Sequence, residues 1–293
     1  MTTLHAFAKV NLSLRVGPMG DDGFHPIQSL VQSIDLDDEV TVELADADSM
    51  TVEGDASVPA DESNLAWRAV DAVRQHLAGD RRLAVNVVKR IPSSAGLGGG
   101  SADAAAALVA AAGLLGGTRS LVEAIAPTIG SDVPVCLIGG TLWMEGRGEM
   151  LRPAQVGRDY FVALATANFA LSTAEVFRTW DALGGPVGPG VAGGALPPTL
   201  RGEEPLINDL TPAAIAIRPE FGDWMHEVAT GWGQQVIMSG SGPTVIGFFA
   251  SLDEASDAAA MVPARFAAGS APIDRGWDGR TGGTLPPPPW GVV

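Results

Sequence analysis

A glycine-rich run at residues 96–101, Gly-Leu-Gly-Gly-Gly-Ser, is the segment of the chain with the clearest capacity to bind phosphate. Glycines leave backbone N–H groups unobstructed, and a helix that follows such a loop adds the favourable end of its dipole. Two common phosphate motifs do not match it. The dinucleotide fingerprint needs Gly or Ala where this loop has Ser101, and the P-loop needs a lysine that this loop lacks.

The residues around this run favour phosphate binding over the alternative, a flexible connection that only turns the chain. Serines flank the glycines, Asp103 falls in the first turn of the predicted helix, and Lys89 ends the preceding strand. Lys89 and Lys9 are the only lysines among 18 basic residues, so their positions are informative. A second glycine-serine loop, at 239–242, repeats the same chemistry far along the chain.

Regular elements must position these loops, and the hydrophobic pattern predicts a strand before the first loop and a helix after it. Residues 83–88 alternate in polarity, and residues 102–115 are rich in alanine. Further strands are predicted at 8–16, 40–44, 161–165, 235–238 and 244–249, and further helices at 64–77 and 121–129. The pattern predicts a mixed α/β fold with two domains, 1–155 and 156–293.

Two segments lack any periodicity and are rich in Gly and Pro. Residues 184–199 are predicted to form a mobile surface loop. The tail at 276–293, with four consecutive prolines at 286–289, is predicted to be poorly ordered in the same way.

Composition narrows the function class. The chain has 293 residues, 46% of them hydrophobic, a net charge of −16 and one cysteine, which excludes a disulfide-stapled miniprotein and a disordered chain. The acidic balance argues against nucleic acid as a partner, and no apolar stretch is long enough for a membrane helix.

The four histidines show no paired metal-ligand spacing, and Cys136 lies in an apolar run typical of a buried thiol. We expect a cytoplasmic protein that is a monomer or a weak homodimer.

Several separated segments resemble the GHMP kinases. The glycine loop, Pro-Ser-Ser-Ala-Gly-Leu-Gly-Gly-Gly-Ser-Ala from Pro92, is similar to the second motif of that family. Six further segments, listed by number, complete the resemblance: 6–12, 22–27, 130–134, 171–177, 205–210 and 238–244. In order and spacing they are most similar to the branch that phosphorylates a methylerythritol carrying cytidine diphosphate, in isoprenoid precursor synthesis.

The resemblance implies a GHMP kinase fold, with a ribosomal S5 domain 2-like N-terminal domain and a ferredoxin-like C-terminal domain. It implies a kinase that uses ATP and Mg²⁺ to phosphorylate the 2-hydroxyl of the small-molecule substrate, cytidyl-methylerythritol. Asp132 matches the aspartate that accepts the proton of that hydroxyl, and Lys9 matches the lysine that pairs with it. For isolated residues, Asp132 is equally typical of a helix cap or turn, and Lys9 of a strand residue with its amine in solvent.

The same resemblance assigns the rest of the site. The acceptor is expected at Asn11, Phe24, His25, Thr173, Phe177, Gly240, Ser241 and Gly242. ATP is expected at Asn64, Lys89, Pro92, Ala95, Gly96, Leu97, Gly98, Gly99, Gly100 and Ser101, with the Ser101 hydroxyl as a ligand of the magnesium that ATP carries.

Two departures affect the cytidine end. Phe24 stands where a tyrosine is usual, and Pro26 where an acidic residue is usual, so stacking is retained but a hydroxyl is lost. Taken alone, Phe24 and Phe177 are equally typical of core aromatics and His25 of a turn. The alternative functions are a GHMP kinase for homoserine, mevalonate or a sugar, and a nucleotide-binding homologue without catalytic activity.

Overall fold

Two large sheets that are mostly antiparallel, a two-stranded sheet and eight α-helices make up most of the described part of the chain. The computed structural model describes residues 1–77, 80–192, 196–203 and 206–279. The strands are β1 (Thr2–Val16), β2 (Ile27–Ala45), β3 (Ser49–Glu53), β4 (Arg82–Val88), β5 (Thr141–Gly146), β6 (Met150–Pro153), β7 (Phe161–Thr166), β8 (Gly190–Val191), β9 (Leu206–Ile207), β10 (Ile237–Met238), β11 (Thr244–Phe249), β12 (Phe266–Ser270) and β13 (Trp277–Asp278). The helices are α1 (Leu65–His76), α2 (Gly99–Leu115), α3 (Arg119–Ile129), α4 (Val133–Ile138), α5 (Thr173–Ala182), α6 (Thr211–Ile217), α7 (Pro219–Trp232) and α8 (Leu252–Ala260), with a 3₁₀ helix at Pro198–Glu203.

The first sheet carries the strand order β13-β1-β2-β4-β3, and β5 pairs with both β2 and β6. Strand β1, between β13 and β2, is buried continuously from Ala6 to Leu14 rather than on alternate residues. A register shift between Phe7 and Lys9 divides the strand: Leu4 and Ala6 before it belong to the core beneath α1 and α2, and Ala8, Val10 and Leu12 after it belong to a core shared with the second sheet. The sequence alternates between apolar and polar residues over 8–16, and three of the polar residues, Lys9, Asn11 and Ser13, are buried as well.

Alanines let α2 lie at the centre of the first core. Every residue from Ala102 to Ala112 is buried, so the helix has no solvent-facing side over three turns. Side chains this small allow close approach of α1, α3 and β1 at once. The helix begins at Gly99, three residues earlier than predicted, because Gly98 adopts the left-handed conformation and ends the loop there.

The second sheet has the order β10-β11-β7-β12, and all of its pairings are antiparallel. Helices α5 to α8 pack a second core against it, centred on Phe221, Val228 and Val245. The strands β10 and β11 flank the second glycine loop as predicted, although β10 is limited to two residues.

The predictions for the two Gly/Pro-rich segments are partly wrong. Within 184–199, β8 pairs with β9, and Val191 and Leu196 are buried. In the tail, residues 277–278 form β13, which pairs with β1 at the edge of the first sheet. The remainder of the tail, including the four prolines, lies outside the described residues.

Across the described ranges, no helix combines the length and apolar character that a membrane crossing requires. Cys136 is buried as predicted, and burial raises the pKa of its thiol.

Candidate active site

A cleft of about 750 Å³ lies between the two glycine loops, the middle of β1 and the start of α4. Nearly all of the predicted site residues line it. These are Lys9, Asn11, Asn64, Lys89, Pro92, Ala95, Gly96, Leu97, Gly98, Gly99, Gly100, Ser101, Asp132, Thr173, Phe177, Gly240, Ser241 and Gly242. Phe24 and His25 are predicted site residues that do not line this cleft.

Lys9 and Asp132 meet at the floor of the cleft. The Lys9 amine lies 3.2 Å from a carboxylate oxygen of Asp132, and the side chains are 6% and 30% exposed. The amine also donates to Asn11 Oδ1 at 2.7 Å and contacts the Gly96 carbonyl oxygen at 3.4 Å. Lys9 is therefore a buried cation with fixed partners and not a strand residue with its amine in solvent.

Asp132 occupies the N-cap position of α4, yet its side chain makes no capping hydrogen bond. The carboxylate instead faces Lys9 and the cleft. A partly exposed carboxylate beside a buried ammonium group can accept a proton from a hydroxyl that enters the cleft.

The first glycine loop depends on close approach to the second. A Cβ atom on Gly96, whose φ is +75°, would lie 2.2 Å from the Ser239 carbonyl oxygen. A Cβ atom on Gly98 would lie 2.9 Å from the Lys9 side chain. The backbone N–H groups of the first turn of α2, which begins at Gly99, have no acceptor within the helix and lie at the cleft. This end of α2 can therefore bind phosphate oxygens.

The Lys89 amine does not project freely into the cleft. It pairs with Asp38 and, at 2.7 Å, with Asp103, and all three side chains are buried. Burial alone would lower the pKa of Lys89, but the two carboxylates more than offset that effect and raise it. A phosphate contact by Lys89 would have to compete with both carboxylates.

Burial raises the pKa of Asp103 to about 8, and the negative charge of Asp38 acts in the same direction, while Lys89 opposes them. One ammonium group cannot compensate two buried carboxylates, so this cluster retains a proton at neutral pH. The other oxygen of Asp38 accepts hydrogen bonds from the backbone N–H groups of Arg90 and Ile91. The cluster thereby joins β2, the chain entering the loop and the first turns of α2.

Asn64 lines the cleft at the start of α1. Its side-chain oxygen accepts from the Ala66 N–H at 2.9 Å, which caps the helix, and its amide donates to the Pro59 carbonyl oxygen at 2.8 Å. Asn64 therefore has a structural role as a cap in addition to any contact with a nucleotide.

Phe24 and His25 lie beside the cleft at the turn between β1 and β2. Phe24 is 54% exposed, and the Arg147 guanidinium covers its ring at 4.2 Å from the centroid. The His25 imidazole is stacked on the Phe177 ring with 5.5 Å between centroids. Its nitrogens contact the Gly17 carbonyl oxygen at 2.9 Å and Asp181 at 3.1 Å. Both ring nitrogens therefore already have a polar partner within the protein.

On the same side of the cleft as Phe177, Thr173 and Ser241 share a hydrogen bond of 2.8 Å between their hydroxyls. Thr173 begins α5, and Phe177 lies one turn further along the same helix. The second glycine loop is therefore connected to the helix that carries the aromatic ring.

Two residues that the sequence analysis did not select hold the loops together. The Ser239 hydroxyl donates to the Gly96 carbonyl oxygen at 3.0 Å and accepts from the Asn11 N–H at 3.1 Å. The Asn208 amide donates to the carbonyl oxygens of Met238 and Gly240. Both lie in segments whose resemblance was noted, at 238–244 and 205–210, so the signal was present although no role was assigned.

The residues at the cleft fit a magnesium ion that is held mainly by phosphate. The Ser101 hydroxyl and the Asp132 carboxylate are oxygen donors of the type that Mg²⁺ prefers. Within the described residues, no group of three or more His, Cys, Asp or Glu side chains is arranged to hold a metal alone.

Comparison with known proteins agrees with this geometry. Residues 64–140 match the model of the family described as GHMP kinases N terminal domain. The chain is 41% identical over 264 residues to the 4-diphosphocytidyl-2-C-methyl-D-erythritol kinase of Cutibacterium acnes, covering 83% of this chain and 84% of the relative. It is 40% identical over 275 residues to the enzyme of the same name from Corynebacterium glutamicum, covering 87% and 88%.

Solved structures give the same result. A crystal structure of 4-(cytidine 5'-diphospho)-2C-methyl-D-erythritol kinase superposes with a TM-score of 0.73 and 30% identity, covering 93% of this chain and 100% of that one. A mevalonate kinase superposes with a TM-score of 0.62 at 11% identity, which supports the shared fold alone. The predicted GHMP kinase fold is thus confirmed, and the chain belongs to the 4-diphosphocytidyl-2-C-methyl-D-erythritol kinase family.

Proposed function

We propose that the protein transfers the γ-phosphate of ATP to the 2-hydroxyl of 4-diphosphocytidyl-2-C-methyl-D-erythritol, giving the 2-phosphate and ADP. The observation that carries this proposal is the pair formed by the buried Lys9 and the partly exposed Asp132, 3.2 Å apart, in a cleft that the glycine loop also lines. Membership of the family supports the identity of the acceptor, and ATP is the donor that the kinase family implies.

Asp132 is assigned as the general base. Its carboxylate is accessible from the cleft and receives the proton of the acceptor hydroxyl as the phosphoryl group is transferred. Lys9 holds its ammonium group beside that carboxylate and orients the hydroxyl that enters there. Asn11 fixes the direction of the Lys9 amine by accepting one of its hydrogen bonds.

The glycine loop and the start of α2 are assigned to the ATP phosphates. Backbone N–H groups at Gly99 and Gly100 would bind phosphate oxygens, where the dipole of α2 favours negative charge. A magnesium ion, when bound, would neutralise charge on the transferring phosphoryl group. Its protein ligand is assigned to the Ser101 hydroxyl, and the remaining ligands to phosphate and water.

The cytidine end is assigned to Phe24, His25 and Phe177. Phe177 lines the cleft directly and is stacked on the His25 imidazole, and the exposed Phe24 ring, beside Arg147, offers a further aromatic surface. Contact of the imidazole with a cytosine edge would replace its hydrogen bond to Asp181. Thr173 and the loop Gly240 to Gly242 are assigned to the methylerythritol and its phosphates.

The experiment is ADP release from purified protein with Mg·ATP, with the cytidyl substrate offered beside homoserine, mevalonate and galactose. Turnover confined to the cytidyl substrate supports the proposal. Asp132→Asn should lower kcat by about 10³-fold with little change in KM, because it removes a base that acts in the transition state. The matched control is Asp257→Asn, an exposed aspartate on α8, which should leave kcat unchanged.

Turnover on a different acceptor would keep the kinase assignment and overturn the cytidine end of the site. ATP binding without turnover on any of the four acceptors would instead favour a nucleotide-binding protein without catalytic activity.

A further inference from the structure

Residues 271–278, which we call the C-terminal strap, return from the second sheet to the first. The strap follows β12 and runs beside β2, where the Ile273 N–H donates to the Ser33 carbonyl oxygen at 2.9 Å. It then reaches β1, where the Phe7 N–H donates to the Gly276 carbonyl oxygen at 2.9 Å. The strap therefore ends as β13, beside the strand that carries Lys9.

The strap also docks on α4, with almost no space between the two backbones. A Cβ atom on Gly276 would lie 1.7 Å from the Cys136 carbonyl oxygen, and one on Gly139 would lie 1.9 Å from the Gly276 nitrogen. The Trp277 indole donates to the Leu137 carbonyl oxygen at 3.1 Å. The last turn of a helix lacks partners for its carbonyl groups, so this bond closes α4 from outside.

The two elements that the strap joins are those that carry the reacting pair. Lys9 lies on β1, close along the strand from Ala6, which pairs with Trp277. Asp132 immediately precedes α4, which has six residues. A helix this short has little intrinsic stability, and its position depends on the groups packed around it.

We propose that the C-terminal strap, through Gly276 and Trp277, positions Asp132 relative to Lys9. By fixing the far end of α4 against β1, it sets the 3.2 Å separation of the carboxylate and the amine. Trp277 and Gly276 are positioning residues, since they contact neither the cleft nor the reacting pair. A displacement of about 1 Å between reacting groups can lower the rate about 100-fold. A small shift of α4 should therefore be measurable as a loss of kcat.

The first test is Trp277→Phe, which keeps an aromatic ring and removes the hydrogen bond to Leu137. We expect kcat to fall about fivefold to fiftyfold while KM for both substrates stays within about twofold, because binding contacts are unchanged. The matched control is Trp224→Phe on α7. It also removes an indole hydrogen bond, which Trp224 donates to the Pro263 carbonyl oxygen at 2.7 Å. An equal loss of kcat in both variants would overturn the proposal.

The second test places the same variants in the Asp132→Asn background. If the strap acts through Asp132, Trp277→Phe should have no further effect on the residual single-turnover rate. A multiplicative loss of the same size as in the wild type would overturn the proposal. Gly276→Ala should behave like Trp277→Phe, because its Cβ would push the strap away from the Cys136 carbonyl oxygen. Its control is Gly113→Ala on α2, where an added Cβ has no atom within 4 Å.

A readout without turnover separates this proposal from the proposed function, on which its kinetic tests rest. Hydrogen exchange of the α4 amides should accelerate at least about tenfold in Trp277→Phe and stay unchanged in Trp224→Phe. Accelerated exchange in a protein that phosphorylates none of the acceptors would retain the docking of α4 and reject the function. If exchange of the α4 amides is unchanged in Trp277→Phe while the wild type turns over normally, the positioning role of the strap is rejected and the proposed function is retained.

Discussion

Lys9 shows how narrowly one side chain is specified at this site. Its amine contacts Asn11, Asp132 and the Gly96 carbonyl oxygen together, while its methylene groups fill the space that a Cβ on Gly98 would occupy. A compact ammonium group can meet three acceptors that converge on one point. A planar guanidinium group cannot do so without displacing the loop.

Lys9→Arg should therefore lose activity although the charge is retained. We expect kcat to fall by about 100-fold or more, since the amine can no longer be placed beside the Asp132 carboxylate. The control is Arg119→Lys, the reverse exchange at an exposed position on α3, which should leave kcat unchanged. Steady-state kinetics together with thermal unfolding would measure both, and a Lys9→Arg protein with kcat within threefold of the wild type contradicts the argument.

Gly96 supports a second prediction at this scale. Alanine there is opposed both by a positive φ and by the Ser239 carbonyl oxygen, 2.2 Å from the new Cβ. At Gly233, where φ is +64° and no atom lies within 4 Å of an added Cβ, alanine would be opposed by the backbone conformation alone. Gly233→Ala should lose about 1–2 kcal/mol of unfolding free energy with normal turnover.

Gly96→Ala should lose more than that and, in addition, at least about tenfold in kcat/KM for ATP, because the two glycine loops must separate. Denaturant unfolding and ATP titration of the two variants give the comparison. Equal stability losses with equal kcat/KM would show that the contact between the loops is not needed.

Elements whose own periodicity sets their structure were predictable from the sequence. The 64–77 prediction matches α1 because apolar residues recur at helical spacing after Asn64, which caps the helix. The start of α2 was missed because glycines normally favour loops, and only the left-handed Gly98 shows where the helix begins. The strap was missed because a two-residue strand has no period of its own and pairs with β1 at the other end of the chain.

The Lys89 cluster fixes the first glycine loop between β2 and α2, and it gives that element a pH dependence. Asp103 keeps its proton up to about pH 8 in the folded protein, whereas an unfolded aspartate loses it near the ordinary value of 3.8. The folded state therefore binds one more proton than the unfolded state between these values. The stabilisation that this proton provides is complete below pH 4 and is lost as pH rises towards 8.

Asp103→Asn should remove this dependence, because the amide is neutral at every pH. We expect the wild type to lose stability relative to the variant as pH rises from 4 to 8, and the difference to change no further above that range. Guanidinium unfolding of both proteins at four pH values is the measurement. A stability difference that is constant with pH contradicts the protonation of Asp103.

At the scale of the whole molecule, the order of the motifs predicted the fold and the family, and the folded chain was needed to show what joins the motifs. Lys9, Asp132 and both glycine loops were found from the sequence and lie at one cleft. Asp38 was not found, since nothing in an acidic stretch of β2 distinguishes the one buried carboxylate that binds Lys89. The domain division near residue 155 and the roles of the site residues stay predictions.

The net charge of −16 has a consequence for a protein whose proposed substrates are both anions. The ionisable residues lining the cleft are Lys9, Lys89, Asp103 and Asp132, and Lys89 is already paired with carboxylates. Lys9 is likewise beside Asp132, so attraction inside the cleft comes mainly from the backbone N–H groups and from the part of the Lys9 charge that Asp132 does not offset, both of which act over short range. The rest of the molecule repels an approaching anion over long range, and salt shortens that range from about 30 Å at 0.01 M to about 8 Å at 0.15 M.

We expect kcat/KM for ATP, measured with magnesium in constant excess, to rise about twofold to fivefold as NaCl increases from about 10 to 150 mM. Neutralising three exposed acidic residues of α7, in the variant E220Q/D223N/E227Q, should raise kcat/KM at low salt and flatten this dependence without changing kcat, since α7 does not line the cleft. A kcat/KM that falls with salt would show that local positive potential at the cleft outweighs the net charge. In that case the capture of anions by Lys9 and the start of α2 extends well beyond contact distance, and the variant should then behave as the wild type.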